Sequence, residues 1–145
     1  MIQESYPLQS DDNREVFAFE SIGNKGRIAK IIVFDLIVDD IWNLGFGDQQ
    51  SDGWDDEVIS NNGDLVRVIS TVAQAALLFS KKWPERRILI NPVDEKRKRL
   101  YNAIFKRRQN EISQYFEITG STEHGVQRYE PQILFNLFLL SPKRH

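Results

Sequence analysis

The sequence predicts an α+β domain, a mixed and mostly antiparallel sheet in the order β-β-β-α-β-α-β-β with two main helices packed on it. Three observations carry this. A glycine-rich turn, Gly23-Asn24-Lys25-Gly26, joins two runs rich in aromatic and β-branched residues. The run Leu65 to Phe79 is apolar almost all round, as a helix buried on most of its circumference is. The stretch from Asp94 to about Tyr115 repeats its apolar residues at helical spacing under a basic exterior.

Residues 1–13 are polar, contain Pro7 and Asp11-Asp12, and read as a loosely tied N-terminal arm; residues 14–145 read as one domain of ordinary size. The first strand is Glu15 to Glu20. After the turn, Arg27 to Val38 forms a long second strand. Its later part, Ile32-Val33-Phe34-Asp35-Leu36-Ile37-Val38, is apolar on both faces, the pattern of a central strand covered on both sides. Asp39-Asp40 turns the chain into a third strand, Ile41 to Phe46. Asp48 to Ser60, with its glycines and carboxylates, reads as loop.

Asn61-Asn62-Gly63-Asp64 is a helix start signal, because Asn and Asp side chains accept the first-turn amides. Asn62 and Asp64 are both candidates for the cap. The β-branched residues of the following helix mean that burial, not intrinsic propensity, must hold it. Lys81-Lys82 suit its C-terminus and Pro84 stops it. Arg87 to Asn91 is a short strand, so strand, helix and strand make a right-handed parallel crossover. Leu100, Tyr101, Ile104, Phe105, Ile112, Tyr115 and Phe116 face inward on the second helix. Phe116 to Thr119 is a strand, Gly120 to Gly125 a turn, and Ile133 to Leu140 the last strand.

The net charge of −2 hides an asymmetry. Between Ile31 and Val66 there are nine carboxylates and no Lys or Arg. Between Lys81 and Arg108 there are eleven basic residues and three acidic ones. An acidic loop and a basic helix on one chain suit a protein partner, self-association included. The absence of cysteine excludes disulfides, thiolate metal sites and a cysteine nucleophile. No apolar run approaches the roughly 18 residues that span a bilayer, and the first residues lack the features of a signal peptide. The expected location is therefore cytoplasmic, away from membranes.

Two resemblances apply. Trp42-Asn43-Leu44-Gly45-Phe46-Gly47-Asp48, Asp55-Asp56, Asn61-Asn62-Gly63-Asp64, Val68-Ile69-Ser70-Thr71-Val72-Ala73, Phe79, Pro84 and Leu100-Tyr101 resemble the pattern of a small bacterial family of unknown function. The likeness runs from Phe17 onward and departs at Asn91-Pro92-Val93, where the pattern has a Gly-Ser-Thr-like turn. It implies no activity. The order of elements is also similar to the core of the GNAT-type acyltransferases. That likeness implies an acetyl-CoA pyrophosphate held by helix amides after Asn61-Asn62-Gly63-Asp64, and a proton donor at Tyr101. Likeness of fold does not establish function.

The charge opposes that cofactor. Two unit charges about 4 Å apart interact by roughly 4 kcal/mol at an effective dielectric of 20, and Asp52, Asp55, Asp56, Glu57 and Asp64 crowd the helix entrance. Asp52, Asp55 and Asp56 are oxygen ligands of the kind Ca²⁺ and Mg²⁺ take, but their spacing differs from an EF-hand loop. No Gly-x-Ser-x-Gly elbow or Ser/His/Asp set is present. A pI near 5.7 speaks against a dedicated nucleic-acid binder, although the basic helix could meet a duplex.

The expectation is a non-enzymatic protein-interaction module with no cofactor. Its binding residues would be Asp48, Asp55, Asp56, Asn61, Asn62 and Asp64 on the acidic loop and Arg97 and Arg99 on the basic helix. Arg97 and Arg108 are expected to lean toward the apolar side and pair with carboxylates. A divergent acyltransferase and a nucleic-acid binder are the alternatives.

Overall fold

A computed structural model describes residues 4–50, 53–55 and 62–143, with backbone alone at 50 and 53–55. In chain order the elements are β1 (Gln9–Ser10), β2 (Val16–Gly23), β3 (Gly26–Val38), β4 (Ile41–Gln50), β5 (Gly53–Asp55), α1 (Leu65–Lys82), β6 (Arg87–Ile90), α2 (Glu95–Ile112), β7 (Phe116–Thr122), β8 (Gly125–Arg128) and β9 (Leu137–Pro142). The expected α+β class and the expected order of main elements hold. The pairing is mixed and mostly antiparallel, with β4 and β6 parallel. No helix among the described residues is long and apolar enough to cross a membrane.

The chain forms two compact units, residues 1–35 with 44–83, and residues 36–43 with 84–145. In the first unit β2 and β3 form a hairpin paired from Val16↔Val33 to Gly23↔Gly26. Alternation turns Phe17, Phe19, Ile32 and Phe34 inward, where all are buried. Phe34 stacks on Phe79 of α1, ring centroids 4.1 Å apart and nearly parallel. Every residue of α1 from Val68 to Ser80 is buried or half-buried, as its all-round apolarity predicts.

The N-terminal arm is tied down more firmly than its polarity suggests. Tyr6 is 4% exposed, stacks on Phe19, and donates its amide to Thr71 Oγ1 at 2.8 Å. β1 adds to the edge of β2. The far end of α1 is fixed by Trp83, whose indole N–H donates to the Asn13 carbonyl at 2.8 Å.

In the second unit α2 packs its Phe105 on Phe138 of β9 at 4.1 Å between centroids, and Tyr129 and Phe135 complete the aromatic cluster. Asn102 on α2 grips the Phe135 backbone at both ends. Its Nδ2 donates to the Phe135 carbonyl and its Oδ1 accepts from the Phe135 amide, each at 2.9 Å. This is why β9 begins at Leu137 and not at Ile133, since backbone bonded to a side chain cannot join a ladder. Arg87 forms a two-pronged ion pair with Asp40, at 2.9 and 2.8 Å, and its amide donates to the Asp40 carbonyl at 2.7 Å. Those bonds fix where β6 starts against β4.

Three further differences have local causes. β4 continues past Phe46 to Gln50, because Asp48 is drawn inward by Lys30 of β3. Gly120 to Gly125 is not merely a turn: β7 runs to Thr122, and β8 returns from Gly125, which adopts φ +115°. The end of β3 is not covered on both sides. Leu36, Ile37 and Val38 are 56%, 55% and 52% exposed. An unbroken apolar run reads the same in sequence whether or not anything lies over it.

Gly120 tests the packing of the second unit. A Cβ there would stand 2.4 Å from Cδ1 of the fully buried Phe135. Gly120→Ala is expected to destabilise the protein by about 1–3 kcal/mol through overpacking, read as a lowered midpoint in urea denaturation.

Candidate functional site

The three residues that open α1 are each fixed by local geometry. Asn62 is 1% exposed. Its Oδ1 accepts from the Lys25 amide, and its Nδ2 donates to the Gly26 carbonyl at 2.9 Å. Its own carbonyl accepts from the Asn24 amide at 2.9 Å. The side chain and backbone of one residue thus close the turn between β2 and β3. Gly23 permits the approach, since a Cβ there would fall 1.9 Å from the Asn62 carbonyl oxygen. Gly63 adopts φ +79°, where glycine is favoured.

Asp64 stands at the N-cap of α1, but its side chain makes no capping bond. The expectation that Asn62 or Asp64 caps the first turn fails, because both side chains are spent elsewhere. Asp64 Oδ2 accepts from the Tyr6 hydroxyl at 2.5 Å and from Ser21 Oγ at 2.6 Å. Burial works to raise the Asp64 pKa; the hydroxyls of Ser21 and Tyr6, its own amide and the charge of Lys30 outweigh this and hold it below the usual carboxylate value. Tyr6 is shifted upward, first by burial and then by its bond to Asp64. An open cavity of about 660 Å³ adjoins this turn, lined by Glu4, Gly63, Asp64, Leu65, Val66 and Arg67. The Arg67 guanidinium lies over the Tyr6 ring, 3.9 Å from its centroid.

Asp48 is 5% exposed and pairs with Lys30, which is 1% exposed. Burying two charges is tolerable only when they are paired and hydrogen-bonded. The carboxylate therefore serves the interior of the first unit and presents nothing to a partner.

The basic helix divides by face. Arg97 is 8% exposed and donates to Asp94, the N-cap of α2, at 2.7 Å; Arg108 pairs with Glu111 at 3.2 Å. Both lean inward and pair as expected. Lys96, Arg99, Lys106 and Arg107 are exposed, with Ala103 and Asn110 between and beyond them. At about 100° per residue these six positions occupy roughly a quarter to a third of the helix circumference. Among the described residues none of the four cations forms an ion pair with a carboxylate.

The sequence-predicted residues are thus distributed unevenly. Asn62, Asp64 and Asp48 belong to the interior of the first unit. Arg97 is buried at the start of α2, while Arg99 faces solvent. Tyr101 is half-buried on the same helix. Asp52, Asp56 and Asn61 lie outside the described residues, and Asp55 is described by its backbone in β5 alone. Tyr6, Ser21 and Lys30 were not singled out. Lys30 had a readable signal, because it falls in the inward register of β3 with Ile32 and Phe34, where a charge needs a partner.

Two measurements check this arrangement. Asn62→Ala removes the buried side chain's bonds to the Lys25 amide and the Gly26 carbonyl, and at about 0.5–1.5 kcal/mol each their loss is expected to lower the midpoint of urea denaturation. Asp64 has a depressed folded pKa, so its stabilisation is present above the unfolded value near 3.9 and is lost as pH falls through the folded value. Asp64→Asn should flatten the acid limb of a stability-against-pH curve below about pH 4, and an unchanged limb would refute the assignment.

No curated protein and no solved structure matches the chain. One family model does, across residues 2–143, and its members are described only as a family of unknown function. With Asn62, Gly63 and Asp64 accounted for as structure, and the α2 face left open to solvent, the chain belongs to that family of unknown function, DUF6934.

Proposed function

We infer that this protein is a non-enzymatic binding module whose α2 face receives an acidic segment of a partner protein. One observation carries the reading: Lys96, Arg99, Lys106 and Arg107 form an exposed stripe along one helix face with no carboxylate of the described residues paired to them. Cations left unpaired in this way attract a complementary surface and steer its approach. The acidic loop supports the reading less, since Asp48 and Asn62 are occupied internally.

Magnitudes bound the affinity. Exposed ion pairs contribute about 0.2–1 kcal/mol each. Four of them yield at most about 4 kcal/mol, which alone corresponds to a dissociation constant near 1 mM. A partner that uses this stripe is therefore weak and salt-sensitive unless it also buries apolar surface. A protein segment suits this better than a nucleic acid, because the chain as a whole carries a charge of −2 and would repel a dense polyanion elsewhere.

The acyltransferase alternative draws on the uncapped first turn of α1 and the cavity beside it. Two carboxylates, Glu4 and Asp64, line that cavity, and Asp64 is held in its charged form. A pyrophosphate there would meet their repulsion, and Arg67 is the one cation among the described residues that line the cavity. Millimolar acetyl-CoA is expected to produce no heat of binding in calorimetry.

The main reading is tested by anisotropy with a labelled glutamate-rich peptide. Binding at about 50 mM salt should weaken at least tenfold by about 0.5 M, as the screening length contracts. The doubly reversed variant Arg99→Glu with Arg107→Glu should lose it. Absence of binding at low salt would sink the proposal, and tighter binding to a DNA duplex than to the peptide would move the function to nucleic acid.

A further inference from the structure

In the second unit β8 is the last strand of its sheet among the described residues, paired with β7 on one side only. One bond fixes the direction of its backbone. The amide of Tyr129, just past β8, donates across the pair to the Ile118 carbonyl at 3.0 Å. Along an antiparallel strand, main-chain groups two residues apart point the same way and neighbours point opposite ways. Gly125 and Gln127 therefore turn their amides and carbonyls to β7, and Val126 and Arg128 turn theirs outward. The contact described at that outer edge, from Gln127 Nε2 to the Arg128 carbonyl at 3.3 Å, is exposed and long.

The two faces of β8 differ. Val126, in register with Ser121, is 75% exposed, and Arg128, in register with Thr119, is exposed on the same face. Gln127 is in register with Gly120, where a Cβ would point at Phe135. Its side chain thus shares the face on which Phe135 and α2 pack. There it lines an open cavity of about 490 Å³ with Lys98, Glu123, Ile133, Leu134 and Asn136. Glu123 Oε1 lies 3.5 Å from His124 Nε2 at the hairpin tip. Neither Lys98 nor Arg128 forms an ion pair among the described residues.

We propose that this edge receives an extended acidic segment of a partner protein as an added antiparallel strand, with one glutamate set against Lys98 in the cavity. A residue opposite Gln127 shares its face and stands beside the cavity, where Ile133 and Leu134 meet its aliphatic stem and Lys98 its carboxylate. The residue opposite Arg128 is also acidic, and the one opposite Val126 is apolar. Main-chain bonds at Val126 and Arg128 supply the affinity and the alternating side chains the selectivity, as in other strand additions. A second copy of this chain fits less well. Antiparallel self-pairing about Gln127 sets an amide in place of a carboxylate beside Lys98, and makes the two Arg128 side chains diagonal neighbours of like charge. The edge is separate from the α2 stripe of Lys96, Arg99, Lys106 and Arg107 and does not rest on it.

The test uses the full chain and a labelled peptide of pattern Thr-Glu-Glu-Val-Thr, followed by fluorescence anisotropy. Binding is expected. Val126→Pro removes the outward amide and no bond that β7 uses. Proline is tolerated on an edge strand where the N–H faces solvent, so circular dichroism should show the variant folded while binding falls roughly fivefold or more. Methylating the valine amide of the peptide should have the same effect. Lys98→Ala should weaken this peptide by a similar factor, yet leave unchanged the weaker binding of a peptide with glutamine for its second glutamate, because the pair is already absent there. These effects should persist in the Arg99→Glu, Arg107→Glu background. Binding abolished by that background and indifferent to Val126→Pro would place the peptide on α2 and overturn the proposal, as would no binding at millimolar peptide. A concentration-dependent dimer in sedimentation, abolished by Val126→Pro, would give the edge to a second copy and overturn it too.

Discussion

The first unit depends on one residue meeting backbone that is distant in sequence. Asn62 serves the turn between β2 and β3 with its amide oxygen, its amide nitrogen and its own carbonyl. Each such bond contributes about 0.5–1.5 kcal/mol net, so Asn62 adds three ties to a turn that the Gly23↔Gly26 pair already closes. Gly23 leaves room for the Asn62 carbonyl, and Gly63 supplies the left-handed step that swings the chain from the clamp into α1. The start of the helix and the tip of the hairpin are therefore one structural object. Asp64 extends it to the N-terminal arm through Tyr6.

That arrangement changes the meaning of the acidic residues. Asp48 neutralises Lys30, Asp64 accepts two hydroxyls, Asp40 fixes Arg87 and Asp94 caps α2. Each is held by a specific donor, and none of these carboxylates is a free surface charge. The cations of α2 have no such history. Those on its inner side are matched, and those on its outer side are left to solvent. Among the described residues, the carboxylates named above are engaged by specific partners, while Lys96, Arg99, Lys106 and Arg107 of α2 are left to solvent.

Much of the fold was legible because periodicity records burial. The apolarity of α1 corresponded to buried or half-buried positions from Val68 onward, while Leu65 and Val66 in the first turn are 48% and 49% exposed, and the inward alternation of β2 and β3 corresponded to buried positions. The inward lean of Arg97 and Arg108 followed from their place on the helix. The short strands β1, β5 and β8 were missed, since two to four residues carry too little pattern to stand out from a turn. The start of β9 was misplaced because the competing partner, Asn102, lies 33 residues away in the chain. The motif around Asn62 was recognised as important and given the wrong task. A cap and a clamp use the same amide, and local sequence does not say which backbone it will meet.

By itself the sequence determined the α+β class, the identity of the two helices, the basic exterior of the second and the membership of residues 2–143 in their family. These follow from composition and spacing, which are properties of neighbours along the chain. Only the tertiary structure decided that Asp48 is buried against Lys30, that Asp64 answers Tyr6 and Ser21, and that Leu36 to Val38 stand open to solvent. Whether a polar group is paired, or an apolar one covered, depends on what the fold brings to it from elsewhere in the chain.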